Sequence, residues 1–128
     1  MEGPVNDNGT VVWSELMTTE VEKAKAFYGR TLGLDFEAFG DGAQGYWLAT
    51  RDGKPVWGIM DMTGKPGGPS GWFTYMTVDD LDAHVRAAQE AGAELCMPVF
   101  EVPTVGRFAI LQDPTGALIG WMKPVPRG

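Results

Sequence analysis

Residues 106–121 read GRFAILQDPTGALIGW, and this stretch decides the fold of the chain. Two apolar runs, at residues 108–112 and 117–122, flank the four residues Asp113–Gly116. An aspartate accepts hydrogen bonds from the backbone that follows it, proline fixes φ at the second turn position, and glycine relieves the exit from the turn. The stretch therefore predicts a β-hairpin close to the end of the chain.

The elements before this hairpin follow one plan twice. Thr19 and Glu22 have the spacing of a capping box at the start of a helix, and Asp79 lies at the matching place before a second helix. The closing strands match as well, because WGIM at residues 57–60 corresponds to IGWM at residues 119–122. The repeat predicts an α+β fold built from two βαβββ units. The predicted elements lie at residues 11–17, 20–32, 34–39, 45–50 and 55–62, and again at 72–78, 79–91, 95–102, 108–112 and 117–122.

The segments outside these elements divide the chain into a domain and its tails. We predict one unit at residues 11–63 and the other at residues 71–123. Residues 64–70 are rich in glycine and proline, which is typical of a linker. Residues 1–10 are polar and show no periodicity, so they are predicted to be a mobile N-terminal tail, and residues 124–128 a C-terminal tail.

Size and charge limit the possible functions. The chain of 128 residues has the size of one domain. A net charge of −7 argues against nucleic acid, whose phosphates are neutralised by Lys and Arg, and equally against an anionic membrane surface. No apolar run approaches the ~20 residues of a membrane span, and the start of the chain lacks the pattern of a signal peptide. A single cysteine excludes an intrachain disulfide, so we expect a cytoplasmic protein.

Two residues of reactive type have ordinary interpretations. Cys96 lies between a leucine and a methionine and is interpreted as a small buried hydrophobic residue. His84, the one histidine, lies among charged residues in the predicted second helix and is interpreted as a solvated surface residue. A nucleophilic cysteine needs a neighbouring base, and a histidine on a helix surface does not supply one.

Several short motifs resemble one known family. They are AFYG at residues 26–29, LGL at 32–34, DPTG at 113–116, ELMTT at 15–19 and VGRFA at 105–109. Together with the repeat, they resemble the vicinal-oxygen-chelate superfamily of glyoxalases, bleomycin-resistance proteins and extradiol dioxygenases, in particular its uncharacterised single-domain glyoxalase-like branch. The resemblance covers about residues 11–123. It implies that the mixed sheets of the two units form a concave channel with the helices on the outer face, and that two chains pair as a homodimer.

In metal-using members of this family, four inward side chains bind one divalent ion. The resemblance places Trp13, Gly58, Phe73 and Gly120 at these four positions. None of these side chains carries the nitrogen or oxygen donor that such an ion requires. We therefore expect no metal and no other cofactor. Two glycines opposite two aromatic residues also suggest that the missing Cβ atoms leave room for the rings of Trp13 and Phe73.

The channel is predicted to be a pocket lined by aromatic and methionine side chains, which is a common composition for a small-molecule site. The alternative is that these residues belong to the core or to a dimer interface. Arg107 is the cation among them and is suited to bind a carboxylate or phosphate group of a ligand, or else it lies in solvent. The predicted ligand-binding residues are Trp13, Met17, Trp47, Met60, Phe73, Tyr75, Arg107 and Met122.

Glu15 is the candidate catalytic residue. It falls on the same face of its strand as Trp13 and Met17, and a buried carboxylate without a partner is costly. It either pairs with a cation, with Arg107 as the first candidate, or serves as a general base. If the strand is shifted by one residue, Glu15 faces water instead.

Three classes of function remain open. The first is metal-free binding of a small molecule, in the manner of the drug-binding resistance proteins that the chain resembles. The second is catalysis, as a glyoxalase-type lyase or isomerase or as a dioxygenase, with a divalent metal or with Glu15 as base. The third is an interaction module whose channel is filled by its own aromatic residues. We favour the first, because the positions of the metal ligands lack donors.

Overall fold

The computed structural model describes residues 7–42, 45–66 and 70–125. Parts of the predicted tails, residues 1–6 and 126–128, and of the predicted linker, residues 67–69, lie outside the described residues. The chain forms two compact units, one of residues 13–73 and one of the residues from Thr74 onward together with those before Trp13. We call them the N-terminal and the C-terminal unit. The predicted boundaries of the domain and of its tails stay predictions.

The N-terminal unit has one helix and four strands. Because helix α1 connects β1 to the rest of the unit, β1 lies parallel to β4, whereas the pairs β2–β3 and β3–β4 are antiparallel. The strand order is β2-β3-β4-β1. The elements are β1 (Val11–Thr18), α1 (Val21–Leu32), β2 (Asp35–Ala38), β3 (Tyr46–Arg51) and β4 (Lys54–Asp61).

The C-terminal unit follows the same plan with one interruption. Its first and last strands are parallel, and the others pair antiparallel in the order β5-β9-β8-β6, with β7 also on β8. The strand predicted at residues 95–102 is divided in two around Pro98, which has no N–H for a ladder. The α+β fold class of two repeated units is confirmed. The elements are β5 (Gly71–Thr77), α2 (Leu81–Glu90), β6 (Glu94–Leu95), β7 (Phe100–Val102), β8 (Gly106–Gln112) and β9 (Leu118–Pro124).

The N-cap of each helix lies one residue later than predicted. The N-cap of α1 is Glu20, which makes no side-chain cap bond, and the Thr18 hydroxyl accepts a hydrogen bond from the Glu20 N–H at 3.0 Å. The predicted capping box of Thr19 and Glu22 is therefore wrong, because β1 continues to Thr18 and brings that hydroxyl to the turn. The N-cap of α2 is Asp80 and not Asp79, and its carboxylate accepts from the Ala83 N–H at 3.2 Å.

The turn of the last hairpin forms as predicted. The Asp113 carboxylate accepts hydrogen bonds from the Thr115 N–H at 2.9 Å, the Thr115 hydroxyl at 2.6 Å and the Ala117 N–H at 3.1 Å. Gly116 has φ 95°, a left-handed conformation that favours glycine. These hydrogen bonds, first those from Thr115, hold the pKa of Asp113 below its usual value.

Each unit has its own core between its helix and its sheet. In the N-terminal unit Leu16, Val21 and Ile59 are buried and pack against partly buried aromatic residues. In the C-terminal unit the corresponding core includes Leu81 and Leu111, each 1% exposed. Because strand residues alternate between faces, the neighbours of the core residues point away from the helix. Neither helix within the described ranges is long and apolar enough to cross a membrane.

Candidate functional site

Glu15 lies on the face of the N-terminal sheet that is opposite to α1. Its neighbour Leu16 packs in the core beneath the helix, so Glu15 and Met17 point to the other side. The side chain of Glu15 is only 3% exposed. The alternative that Glu15 faces water is therefore wrong.

A tyrosine that the sequence analysis did not single out joins this glutamate. The Tyr46 hydroxyl lies 2.7 Å from Glu15 Oε1, and Trp13 Nε1 lies 2.8 Å from the same hydroxyl. An indole nitrogen only donates, so the hydroxyl oxygen accepts a hydrogen bond from Trp13. The same hydroxyl donates a hydrogen bond to the carboxylate of Glu15. We call this set of three residues the Trp13–Tyr46–Glu15 chain.

Gly58 makes the chain possible. On the sheet, β4 lies between the strands that carry Tyr46 and Glu15, and Gly58 is in register with Glu15. A Cβ atom on Gly58 would lie 2.0 Å from the Tyr46 hydroxyl and 2.5 Å from its Cζ. Gly58 does leave room for a large ring, as expected. The ring nearest to it is that of Tyr46, whereas the expectation named Trp13 and Phe73.

Electrostatics keep the Tyr46 hydroxyl protonated. Burial raises its pKa most, and the charge of Glu15 raises it further, whereas the hydrogen bond from Trp13 acts in the opposite direction. The phenolate is strongly disfavoured beside a carboxylate in a partly dehydrated place. The Tyr46 hydroxyl therefore keeps its proton at neutral pH and donates it in the hydrogen bond to Glu15.

The other predicted residues of this unit divide between the two faces of the sheet. Met17 and Met60 are paired in register, half-buried, and on the side of Glu15. Trp47 is in register with Ile59 and packs on the side of the helix, with Lys25 Nζ 3.7 Å from its ring centroid. There it borders an open groove of about 450 Å³ at the start of α1. The predicted grouping of Trp47 with the other pocket residues is wrong.

The predicted residues of β5, β8 and β9 are mostly apolar packing residues. Phe73, Tyr75 and Met122 are buried, and Tyr75 is in register with Gly120. The Tyr75 ring meets that of Phe108 edge to face at 5.6 Å. Phe108 is not among the site residues predicted from the sequence, although it is in register with Met122 as Tyr46 is with Met60.

Arg107 is held by two carboxylates of the C-terminal unit. Its guanidinium donates to Asp82 at 3.0 Å and to Glu101 at 3.1 Å. The hydrogen bond from Asp82 is the main cause that raises the pKa of Arg107. Arg107 thus has two carboxylate acceptors within its own unit, and its pairing with Glu15 stays a prediction.

The remaining reactive residues have simple surroundings. His84 Nε2 lies 3.1 Å from Asp79 Oδ1 on the surface of α2, as expected of a solvated residue. Cys96 is exposed, so its interpretation as a buried residue is wrong. It follows a strand of only two residues, and its side chain is not covered there.

The four positions expected for metal ligands do not fit a divalent ion. Trp13 uses its only polar atom on Tyr46, Phe73 has none, and the other two positions are glycines. In residues 7–42, 45–66 and 70–125, no group of three or more His, Cys, Asp or Glu side chains is placed to hold a metal. The donor chemistry of a glyoxalase-type centre is therefore missing from this part of the chain.

Comparisons with known proteins agree with this architecture. The model of the Glyoxalase/Bleomycin resistance protein/Dioxygenase superfamily matches residues 10–120. A Mycobacterium tuberculosis protein named "Putative glyoxylase CFP32" is 38% identical over 96% of this chain and 47% of its own length. The anthracycline biosynthesis protein DnrV of Streptomyces peucetius is 31% identical over 94% of this chain and 49% of its own length. The chain thus spans about half the length of these curated relatives.

A solved structure supports the fold at lower sequence similarity. Methylmalonyl-CoA epimerase from Mycobacterium tuberculosis superposes with a TM-score of 0.66 over 98% of this chain and 94% of that one, at 17% identity. This similarity concerns the fold alone, because the identity is low.

Proposed function

Because the chain belongs to the Glyoxalase/Bleomycin resistance protein/Dioxygenase superfamily, we propose that it binds a small aromatic molecule without the help of a divalent metal. The binding surface is the face of the N-terminal sheet that carries the Trp13–Tyr46–Glu15 chain. The hydrogen bond between Tyr46 and Glu15 is the observation that carries this proposal. It holds the Tyr46 hydroxyl in the space that a side chain at position 58, one of the expected metal-ligand positions, would fill.

The composition of this face supports an aromatic ligand. Trp13, Met17, Tyr46 and Met60 are all half-buried, so part of each side chain remains exposed. Methionine adapts its shape to a ring, and an indole offers a large flat surface. The name of DnrV, which places that relative in the biosynthesis of an aromatic class of compounds, supports the same ligand chemistry. We therefore favour a binding function like that of the family's drug-binding resistance proteins.

A thermal-shift and calorimetric assay tests this proposal. A panel of flat aromatic compounds, with an anthracycline among them, is titrated in the presence of EDTA and again with Mn²⁺ or Zn²⁺. We expect binding that is equal in both buffers, and stabilisation of about 2.7 kcal/mol when the free ligand is at a hundred times its Kd. Binding that appears only with the metal would contradict the proposal.

Catalysis with Glu15 as a general base is the second candidate. The burial of Glu15 beside a phenol favours it, since buried carboxylates are common in active sites. A substrate would have to take the place of a present partner of the carboxylate, because Tyr46 already occupies Oε1. Under this alternative, Glu15→Gln keeps ligand affinity and abolishes turnover in a glyoxalase or isomerase assay.

We also propose that the chain acts in the cytoplasm as a homodimer. An edge-to-face row of rings on the N-terminal unit supports the pairing, because Phe27 and Trp72 at its ends are 56% and 49% exposed. Exposed aromatic groups of this kind are enriched at protein interfaces. Light scattering coupled to size-exclusion chromatography measures the mass directly, and a monomer at high protein concentration would contradict the proposal.

A further inference from the structure

We propose that the Tyr46 hydroxyl recognises the ligand by accepting a hydrogen bond, so that the site selects aromatic molecules that carry a hydroxyl group. The inference rests on the proposed function, since it names the chemical class of ligand for the same face. It follows from the hydrogen bonds of the Tyr46 hydroxyl, which accepts one from Trp13 and donates one to Glu15.

A phenol has one proton and two acceptor lone pairs. The Trp13 indole uses one lone pair, through a donor–acceptor distance of 2.8 Å. The proton points to Glu15 Oε1, 2.7 Å away. The first direction is fixed because an indole nitrogen only donates, and in the second the Tyr46 hydroxyl is the donor to the carboxylate oxygen. The hydroxyl therefore has one lone pair left, and to a ligand it is an acceptor and not a donor.

The position of this acceptor is fixed before any ligand binds. The Tyr46 ring lies over the backbone of Gly58, so close that a methyl group at that position would overlap with it. The ring of Phe39 also meets it edge to face, with 5.9 Å between the ring centroids. Groups held in this manner lose little freedom on binding, so their hydrogen bonds contribute more to selectivity.

The neighbours of Tyr46 on this face determine the rest of the ligand. Met17 and Met60 lie side by side on adjacent strands, and Trp13 is two strand positions before Glu15 on the same face. The indole N–H is already used, and the methionine sulfurs are only weak acceptors, of which that of Met60 lies 3.8 Å from Lys65 Nζ. A flat apolar body with a hydroxyl group at one edge is the complement of this surface.

The test is a matched pair of ligands, 2-naphthol and 2-methoxynaphthalene, titrated by calorimetry and by quenching of tryptophan fluorescence. The methyl ether keeps the rings but cannot donate. For the native protein we expect 2-naphthol to bind about three- to tenfold more tightly, the range of one net hydrogen bond. In Tyr46→Phe the acceptor is gone, so the two affinities become equal at the level of the ether.

Two further variants keep the test decisive if Tyr46→Phe folds poorly. Tyr28→Phe removes the same hydroxyl from a ring that packs against Trp57 on the side of the helix, and it should keep the native preference. Glu15→Met removes both carboxylate oxygens, including the acceptor of the Tyr46 hydrogen bond, so that the Tyr46 proton is free to turn to the ligand. The preference for 2-naphthol should then fall.

The outcomes separate this inference from the proposed function. Equal affinities of the native protein for both compounds, or a preference that persists in Tyr46→Phe or Glu15→Met, overturn hydroxyl recognition while aromatic binding stands. If neither compound binds to the native protein, the aromatic ligand itself is wrong, and the present inference falls with it.

Discussion

The two units share one strand register but carry different side chains at equivalent positions. In the N-terminal unit Tyr46 is opposite Met60, and Gly58 is in register with Glu15. In the C-terminal unit the corresponding pairs are Phe108 with Met122 and Gly120 with Tyr75. One unit thus has a phenol and a carboxylate where the other has a phenyl ring and a phenol.

This difference shows what a buried charge demands of its surroundings. The ring of Tyr75 packs edge to face on that of Phe108, whereas the buried Glu15 carboxylate accepts a hydrogen bond from a phenol of its own unit. Tyr46 supplies that donor by reaching across Gly58. A duplicated fold can therefore keep its strand register while one copy carries a carboxylate at the position where the other carries a phenol.

The largest effect is expected at Gly58. In Gly58→Ala the new Cβ overlaps with the Tyr46 ring, so the ring must leave Glu15 or the strands must separate. We expect a loss of about 3 kcal/mol in the free energy of unfolding, measured by urea denaturation. Gly71→Ala is the control, since a Cβ there meets nothing within 4 Å. Equal stability of the two variants would refute the crossing of β4 by Tyr46.

A smaller loss is expected when Tyr46 is made like its counterpart Phe108. Tyr46→Phe leaves the Trp13 N–H and the Glu15 carboxylate each without one present partner, at a cost of about 1–3 kcal/mol in unfolding free energy. Denaturation of Tyr28→Phe gives the baseline for loss of a phenol elsewhere in the same unit. A loss no greater than that baseline would show that the hydrogen-bond chain adds nothing to stability.

The last hairpin gives the C-terminal unit an acid-sensitive turn. Because the folded pKa of Asp113 is lowered, its contribution to stability is present above the unfolded value of about 3.9 and is lost as the pH falls through the folded value. Asp113→Ala should therefore lower the Tm at pH 7, and the difference from the native protein should shrink below about pH 4. A difference that is independent of pH would contradict this assignment.

The smallest effect is expected at Arg107. Its ion pairs with Asp82 and Glu101 are exposed, so Arg107→Gln should change the Tm slightly, and less at high salt. Calorimetry should also find the ligand affinity unchanged. A loss of affinity for anionic ligands alone would revive the interpretation of Arg107 as a binding residue.

The sequence predicts the plan of elements better than it predicts the site. Helices, strands and the turn at Asp113 follow from local periodicity and turn chemistry, which neighbouring residues express by themselves. Glu15 was identified because strand parity is also local. Tyr46 was not predicted because it lies twelve residues before Gly58, the strand partner of Glu15. Only the register of β3, β4 and β1 brings Tyr46, Gly58 and Glu15 together.

The amino-acid sequence by itself determined the duplicated α+β plan, the family, and the lack of donors at the four expected metal positions. Tertiary structure alone decided that Tyr46 donates a hydrogen bond to Glu15, that Trp47 lies on the opposite face of its sheet, and that Arg107 binds Asp82 and Glu101. The physical reason is range. Turns and periodicity depend on residues a few positions apart, whereas a hydrogen bond across three strands depends on the register that the whole unit adopts.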